Sequence, residues 1–423
     1  MPGLLPRALG RSAGDTSFTI FLVTVALCLL RSVDLPAVEF GVLDVTIADI
    51  ALLITGVLAL HRLRTRPLPS TWLLVAAAAF GALVAVSSLA NGSDAITSAG
   101  KLVELGLLGL GAAVFIDSPR RLRALLVLVV SFATVATAWG LVGFLTSDQE
   151  RQGSFMGEHD LAALATLAAA IGLERVHARR GNPGPLAITG LVIGVIGTIL
   201  GAALASLIGI YLASLVVLLL ARRRGDLRWT AALVTLAVAG ISTAGTVALR
   251  GGDLGFLQSW FGPPPEHPGQ YAASWSQRLI FTYIGGRIFL DQPILGTGWH
   301  GLLPPEEFVR YLPDARERFS DQPAHYFPPA DGVFIPQQTY DQILFELGLV
   351  GASVLAVLLA LAGWRAAVVA RRRDPDAAYI PAMWLAAVLG ALAGAALFGG
   401  APLTAMFWLT LGVVAAETEP VVA

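Results

Sequence analysis

Arg151 and Arg278 each stand at the edge of apolar sequence. The planar fork of a guanidinium pairs with phosphoryl oxygens, so an arginine pocket beside a membrane suits a phosphate or pyrophosphate. Arg151 opens the stretch Arg151-Gln152-Gly153-Ser154-Phe155-Met156-Gly157-Glu158-His159-Asp160 ahead of an apolar run. There His159 brings an imidazole, which exchanges a proton near neutral pH, though a capping or solvated role fits it as well. Asp160 reads as the N-cap of the helix that follows. Arg278 belongs to Trp275-Ser276-Gln277-Arg278-Leu279-Ile280-Phe281-Thr282-Tyr283-Ile284-Gly285-Gly286-Arg287-Ile288-Phe289-Leu290. This reads as a helix over about 274–290, capped by Ser274 or Ser276 and ended by Asp291-Gln292-Pro293. Arg287 lies nine positions beyond Arg278, and at about 100° per residue the two point to opposite faces. Arg278 shares its face with Thr282 and Trp275.

A third stretch, Gln337-Gln338-Thr339-Tyr340-Asp341-Gln342-Ile343-Leu344-Phe345-Glu346-Leu347-Gly348, carries polar residues into an apolar helix. Glu346 lies more than a turn inside it, and a charge at that depth faces a cavity or a partner. Metal and nucleotide chemistry have no support. His267, His300 and His325 lack ligand spacing, and there is no phosphate-binding glycine loop. No cofactor is expected.

These residues need elements to place them. Of 423 residues, 56% are hydrophobic and 13% charged, against about 25% charged in a soluble domain. The apolar residues fall in runs near the roughly 20 residues that cross a bilayer as a helix, without the alternation of barrel strands. Twelve runs stand out: 17–31, 46–60, 71–90, 96–115, 124–145, 160–174, 186–203, 204–221, 230–249, 342–362, 378–399 and 401–414. The seventh and eighth form one apolar stretch, broken by a turn near Ala203. The expected fold is an all-α polytopic membrane protein of about twelve transmembrane helices, a single membrane domain over 1–423. Arginines crowd alternate short connections, as in Arg62-Leu63-Arg64, Arg120-Arg121-Leu122-Arg123, Arg179-Arg180, Arg222-Arg223-Arg224 and Arg371-Arg372-Arg373. Positive charge in short loops marks the cytoplasmic side. The N- and C-termini are therefore expected inside, and the long segment 250–340, between the ninth and tenth helices, outside. This explains the basic clusters without nucleic acid, and the net charge of −1 says little about partners. No cleavage site follows the first apolar run, so residues 1–30 are expected to stay attached. Cys28 is the single cysteine, which rules out an internal disulfide and reads as a small buried hydrophobe.

Four features carry a resemblance. Arg151, Gly153 and Phe155 precede His159-Asp160-Leu161-Ala162. Arg278 begins a loop helix that ends in Asp291-x-Pro293-x-x-Gly296-x-Gly298. Tyr340 is followed by Glu346-x-Gly348-Leu349-x-Gly351. The long outer loop falls late in the chain. In these the sequence resembles the O-antigen ligase and polysaccharide polymerase superfamily of bacterial envelope membrane proteins, over roughly 16–416. Two positions depart from that pattern. Gln337 stands where the family has its catalytic histidine, and glutamine cannot act as a base at neutral pH. Ala205-Ser206-Leu207 lacks an arginine that often follows the serine. The resemblance implies a multi-pass protein of the bacterial cytoplasmic membrane. Its donor would be a polyprenyl-pyrophosphate-linked glycan in the outer leaflet, its acceptor a glycan or lipid, and membrane lipids its surroundings. It implies that Arg151 and Arg278 hold the pyrophosphate, with Arg287, Gln337 and Tyr340 as further substrate contacts. Proton transfer would fall to Glu346, His300, Asp341 or His159, with Glu158 also in reach. Two other readings compete: a non-catalytic relative that binds lipid-linked glycan, favoured by Gln337, and a glycan or lipid transporter.

Overall fold

The structure is a computed structural model. It describes residues 5–30, 35–40, 43–64, 70–147, 151–178, 183–250, 272–372 and 378–416. The proline-rich stretch 263–268 lies outside the described residues, as do Trp275 and Ser274 at the level of side chains.

Helices lie over each of the apolar runs: α1 (Leu5–Cys28), α2 (Ile47–Leu63), α3 (Thr71–Ser88), α4 (Gly92–Phe115), α5 (Pro119–Thr146), α6 (Glu158–Ala178), α7 (Pro185–Gly201), α8 (Leu204–Arg224) and α9 (Trp229–Leu249). The loop helix α10 (Ala272–Asp291) and the short α11 (Pro305–Phe308) and α12 (Leu312–Arg318) follow, then α13 (Thr339–Arg372), α14 (Ile380–Ala391) and α15 (Pro402–Ala415). Among the described residues seven helices (α3, α4, α5, α6, α8, α9 and α13) are long and apolar enough to cross a membrane. The chain is an all-α polytopic membrane protein. One small departure is an antiparallel hairpin, Ala37–Phe40 with Leu43–Thr46. It leads into a capping box in which Thr46 and Asp49 satisfy each other's backbone N–H groups. Lys101 of α4 pairs with the same Asp49 carboxylate.

Two expectations at helix starts are corrected. α10 begins at Ala272, so Ser274 and Ser276 fall inside its first turns and neither is the N-cap. α6 begins at Glu158, which puts Asp160 inside its first turn. Asp160 Oδ1 instead accepts from the Leu403 N–H at 2.8 Å, at the start of α15. Asp160 thus caps a helix distant in sequence and ties α6 to α15.

The bundle centres on α6, whose Ala-rich surface is buried around nearly its whole circumference. Small side chains let neighbouring helices approach its backbone. At Gly201, the end of α7, an added Cβ would lie 2.6 Å from the Glu158 carbonyl, so no larger residue fits. α7 and α8 part at Ala202, which takes the left-handed conformation with φ 45°, beside the expected turn at Ala203.

α13 is broken at Gly348, where φ is 61° and ψ −160°. The turn after α10 is laced into this break. Leu349 N donates to the Pro293 carbonyl (2.8 Å) and Val350 N to Ile294 (3.1 Å). Thr297 N donates to Phe345 (3.0 Å) and Gly298 N to Glu346 (2.8 Å). The backbone groups that the break takes out of α13 are so paired across to the turn, as a low-dielectric setting requires. Above this joint, Ile280, Ile284, Ile288, Phe308, Leu312, Phe334 and Phe345 form a second apolar core under the loop segment. Phe281 stacks on Phe334 with centroids 4.8 Å apart.

Candidate functional site

Arg278 leaves α10 and is steadied by backbone carbonyls. Its Nη2 donates to Gly394 O at 3.2 Å and its Nη1 to Gln337 O at 3.4 Å. Nη2 also stands 3.4 Å from His159 Nε2. Burial pushes the Arg278 pKa down, the Arg250 and Arg151 guanidiniums push it further, and Asp341 opposes them. Three cations therefore share one neighbourhood, and the same three act electrostatically on His159.

The α7–α8 turn explains how the other two arrive. A helix end leaves carbonyls without intrahelical partners. Here Gly201 O accepts from Arg151 Nη2 at 3.3 Å and Ala202 O from Arg250 Nη1 at 3.0 Å. Gln152 N donates to Leu200 O at 3.0 Å, which fixes the approach of the 151–157 segment. Arg151 also pairs with Glu158 at 2.7 Å, while Arg250 is buried. A tight turn between two apolar helices thus holds two guanidiniums beside the first turn of α6.

His159, Asp160, Arg278, Ile335 and Gln337 line a cavity of about 350 Å3. Its remaining wall is the stretch Gly394–Leu403. The run 378–399 was expected to be helical throughout. The helix α14 stops at Ala391, and the chain is unwound until α15 begins at Pro402. Gln342 of α13 pairs both its amide atoms with the Leu397 backbone (2.9 and 3.3 Å) and Thr339 Oγ1 donates to Ala395 O at 2.8 Å, which satisfies the unwound backbone. Gly399-Gly400 keeps the link open up to Pro402, where proline starts the next helix. The result is a backbone wall, backed by a helix N-terminus, on which the Arg278 fork rests through Gly394 O. Arg278 is the cation on this lining and Asp160 its carboxylate; a guanidinium fork of this kind suits an anion with several oxygens.

Of the residues singled out in the sequence, His159, Arg278 and Gln337 meet at this cavity. Arg151 stands beside His159. Gln337 contributes its main-chain oxygen, and its amide turns back to Ile335 O at 3.2 Å. Asp341 lies near Arg278 but off the lining. Its Oδ2 accepts from Thr282 Oγ1 (3.1 Å) and Gln338 Nε2 (3.3 Å). Tyr340 donates its hydroxyl to Leu389 O of α14 at 2.7 Å. Glu346 and His300 form a separate group. Glu346 is fully buried, and its Oε2 accepts from the His300 and Gly301 backbone N–H groups, both at 3.4 Å. Glu346 thereby pins the 300–301 turn. Burial pushes the His300 ring's pKa down, with Glu307 opposing. Arg287 pairs with Asp314 at 3.0 Å on the half-exposed side of the cap. There Asp314 also accepts from the Tyr283 hydroxyl at 2.9 Å.

Sequence reasoning missed Arg250 and the unwound 392–401 link. The signal for the link was Gly399-Gly400 before Pro402. Arg250 offered only its place at the end of an apolar run. A second cavity, about 510 Å3, lies between α3, α4 and α15 and is lined by apolar residues including Leu73, Val103, Leu110 and Trp408. In three or more His, Cys, Asp or Glu side chains, no metal-binding group occurs among the described residues. No protein-family model matches the chain, and no curated protein matches it either.

Proposed function

We propose that this protein binds a polyprenyl-pyrophosphate-linked glycan at the outer face of a bacterial cytoplasmic membrane and transfers the glycan to an acceptor hydroxyl, as a polymerase or ligase. The observation that carries this reading is Arg278 on the cavity lining beside His159, with the Arg151 and Arg250 guanidiniums close enough to act on both. Pyrophosphate gains charge as the anomeric C–O bond breaks, and guanidiniums already in place stabilise that charge without reorganising. Their preference for paired phosphoryl oxygens matches such a leaving group better than a carboxylate or a neutral sugar.

The layout that serves this chemistry has both termini in the cytoplasm and the 250–340 segment outside. Of the twelve apolar runs the last two complete their passage only as a pair joined by irregular chain: α14 and α15, at 12 and 14 residues, are each short of the roughly 20 that cross a bilayer as a helix. The unwound link between them then lies below the outer surface. Irregular backbone at such depth is tolerated where it lines a cavity, and this link lines the arginine cavity.

The test is binding and transfer by the purified full-length protein with a synthetic polyprenyl-pyrophosphate glycan. Losing one charge-assisted contact is worth about 1.5–3 kcal/mol, so Arg278→Ala is expected to weaken donor binding by roughly 10–150-fold. Unimpaired binding and transfer by both Arg278→Ala and Arg151→Ala would sink the reading. Gln337 favours a second one, donor binding without transfer, which the same assay separates: donor held by the wild-type protein and no product with any acceptor.

A further inference from the structure

Among the described residues His159 is the imidazole that lines the arginine cavity, and its neighbour defines what the ring offers. Arg278 Nη2 lies 3.4 Å from His159 Nε2. A guanidinium has donors and no acceptor, so Nε2 presents its lone pair and the ring proton is on Nδ1. The contact is long for a hydrogen bond. Arg278 has two further acceptors of its own, the Gly394 and Gln337 carbonyls. Its hold on His159 is therefore one it can give up.

We propose that His159 is the proton acceptor for the incoming hydroxyl, and that Arg278 covers its lone pair until a phosphoryl group claims the guanidinium. The proposal rests on the pyrophosphate reading of the site. Nε2 faces Arg278 Nη2 at 3.4 Å. When phosphoryl oxygens draw the Arg278 fork, Nε2 is released toward the cavity and meets the acceptor hydroxyl. The acceptor oxygen then bonds to the anomeric carbon. The bond from that carbon to the phosphate oxygen breaks, and its electron pair stays on the pyrophosphate. The hydroxyl proton passes to Nε2, and the imidazolium returns it to the departing pyrophosphate or to water. Donor binding thus arms the base, and no hydroxyl, water included, is activated before the donor is seated.

The other proton acceptors are engaged elsewhere: Asp160 shares the lining but its Oδ1 caps α15 through the Leu403 N–H, and Glu158 pairs with Arg151. Glu346 is buried against the 300–301 turn. The His300 ring is off the cavity lining. Asp341 is off it too, and its Oδ2 is taken by Thr282 and Gln338. The Gln337 amide turns back to Ile335 O and has no basic lone pair, which leaves His159 of α6 as the imidazole on the lining.

The experiment uses the full-length protein in nanodiscs with a synthetic polyprenyl-pyrophosphate glycan and an acceptor glycan. His159→Gln keeps an acceptor atom for Arg278 and has no basic lone pair. It is expected to bind donor within about twofold of wild type and to transfer roughly 10²–10⁴-fold more slowly, the range of general base catalysis. His159→Gly is expected to regain at least about tenfold in rate on addition of imidazole, a rescue that a packing role would not show. If His159→Gln does not fold, as judged by thermal unfolding, the imidazole response of His159→Gly decides. Transfer by His159→Gln at the wild-type rate, or no response of His159→Gly to imidazole, overturns the proposal. Donor binding without transfer by the wild-type protein overturns the base and leaves the pyrophosphate site standing. Failure of the wild-type protein to bind donor overturns both.

Discussion

Arg250 reaches the site because a carbonyl at the end of α7 needs a donor, not because of any neighbour in sequence. It is buried, and its Nη1 bonds to Ala202 O. Arg250→Lys keeps the charge and loses the fork. Donor binding is expected to fall about 3–10-fold with lysine and further with alanine, where a charge-assisted contact of about 1.5–3 kcal/mol is lost; a titration with pyrophosphate-linked donor reads both. Arg287 provides the contrast. Its ion pair with Asp314 is half exposed, so Arg287→Ala is expected to lower stability by at most about 1 kcal/mol. A loss of donor affinity as large as that of Arg278→Ala would put Arg287 at the site after all. The opposite placement of Arg278 and Arg287 was legible from their spacing along one helix. That Arg151 and His159 stand at the mouth of a helix was legible from their place before an apolar run. Arg250 was not, because its partner lies 48 residues away in sequence, on a turn whose position depends on how α7 packs against α6.

The interlock of the post-α10 turn with α13 ties the loop segment to the bundle through backbone hydrogen bonds. Asp291-x-Pro293-x-x-Gly296-x-Gly298 and Glu346-x-Gly348 read in the sequence as two punctuated segments. In the fold they are two halves of one joint, exchanging four backbone hydrogen bonds. Gly348 has φ 61°, and an added Cβ would collide with the Ile294 carbonyl. Gly348→Ala is expected to cost about 1–3 kcal/mol in backbone strain alone, seen as a lower unfolding temperature of the purified protein. An unchanged temperature would mean that the joint is looser than drawn. The break in α13 went unforeseen because the apolar run 342–362 is continuous; the turn that satisfies its freed backbone comes from elsewhere. The same holds for α14, whose run was read to 399 and whose helix ends at Ala391.

At the scale of the whole molecule, charge and apolar length together define the orientation. In the proposed layout the arginine-rich connections face the cytoplasm and the 299–338 cap the other side. Pro329 and Arg223 are both exposed, and Cys28 is the single cysteine and is buried. In a Cys28→Ser background, Pro329→Cys is expected to react with a membrane-impermeant thiol reagent added to intact cells. Arg223→Cys is expected to react only after the membrane is opened. Labelling in the reverse order would place the cap in the cytosol, away from any outer-leaflet donor.

The order of amino acids determined by itself that the chain is a helical membrane protein, roughly where its helices lie and which arginines border apolar sequence. Those properties are local: run length against bilayer thickness and the sign of charge in short connections. Only the tertiary structure decided which polar groups meet. Arg151 with His159, Arg250 and Arg278 come from three separate stretches of chain, and the arginines are held by carbonyls that a helix end, an unwound link and a loop leave unpaired. Whether a carbonyl is left over depends on where a helix stops. Where α7, α13 and α14 stop depends on the partners packed against them, which no single segment specifies.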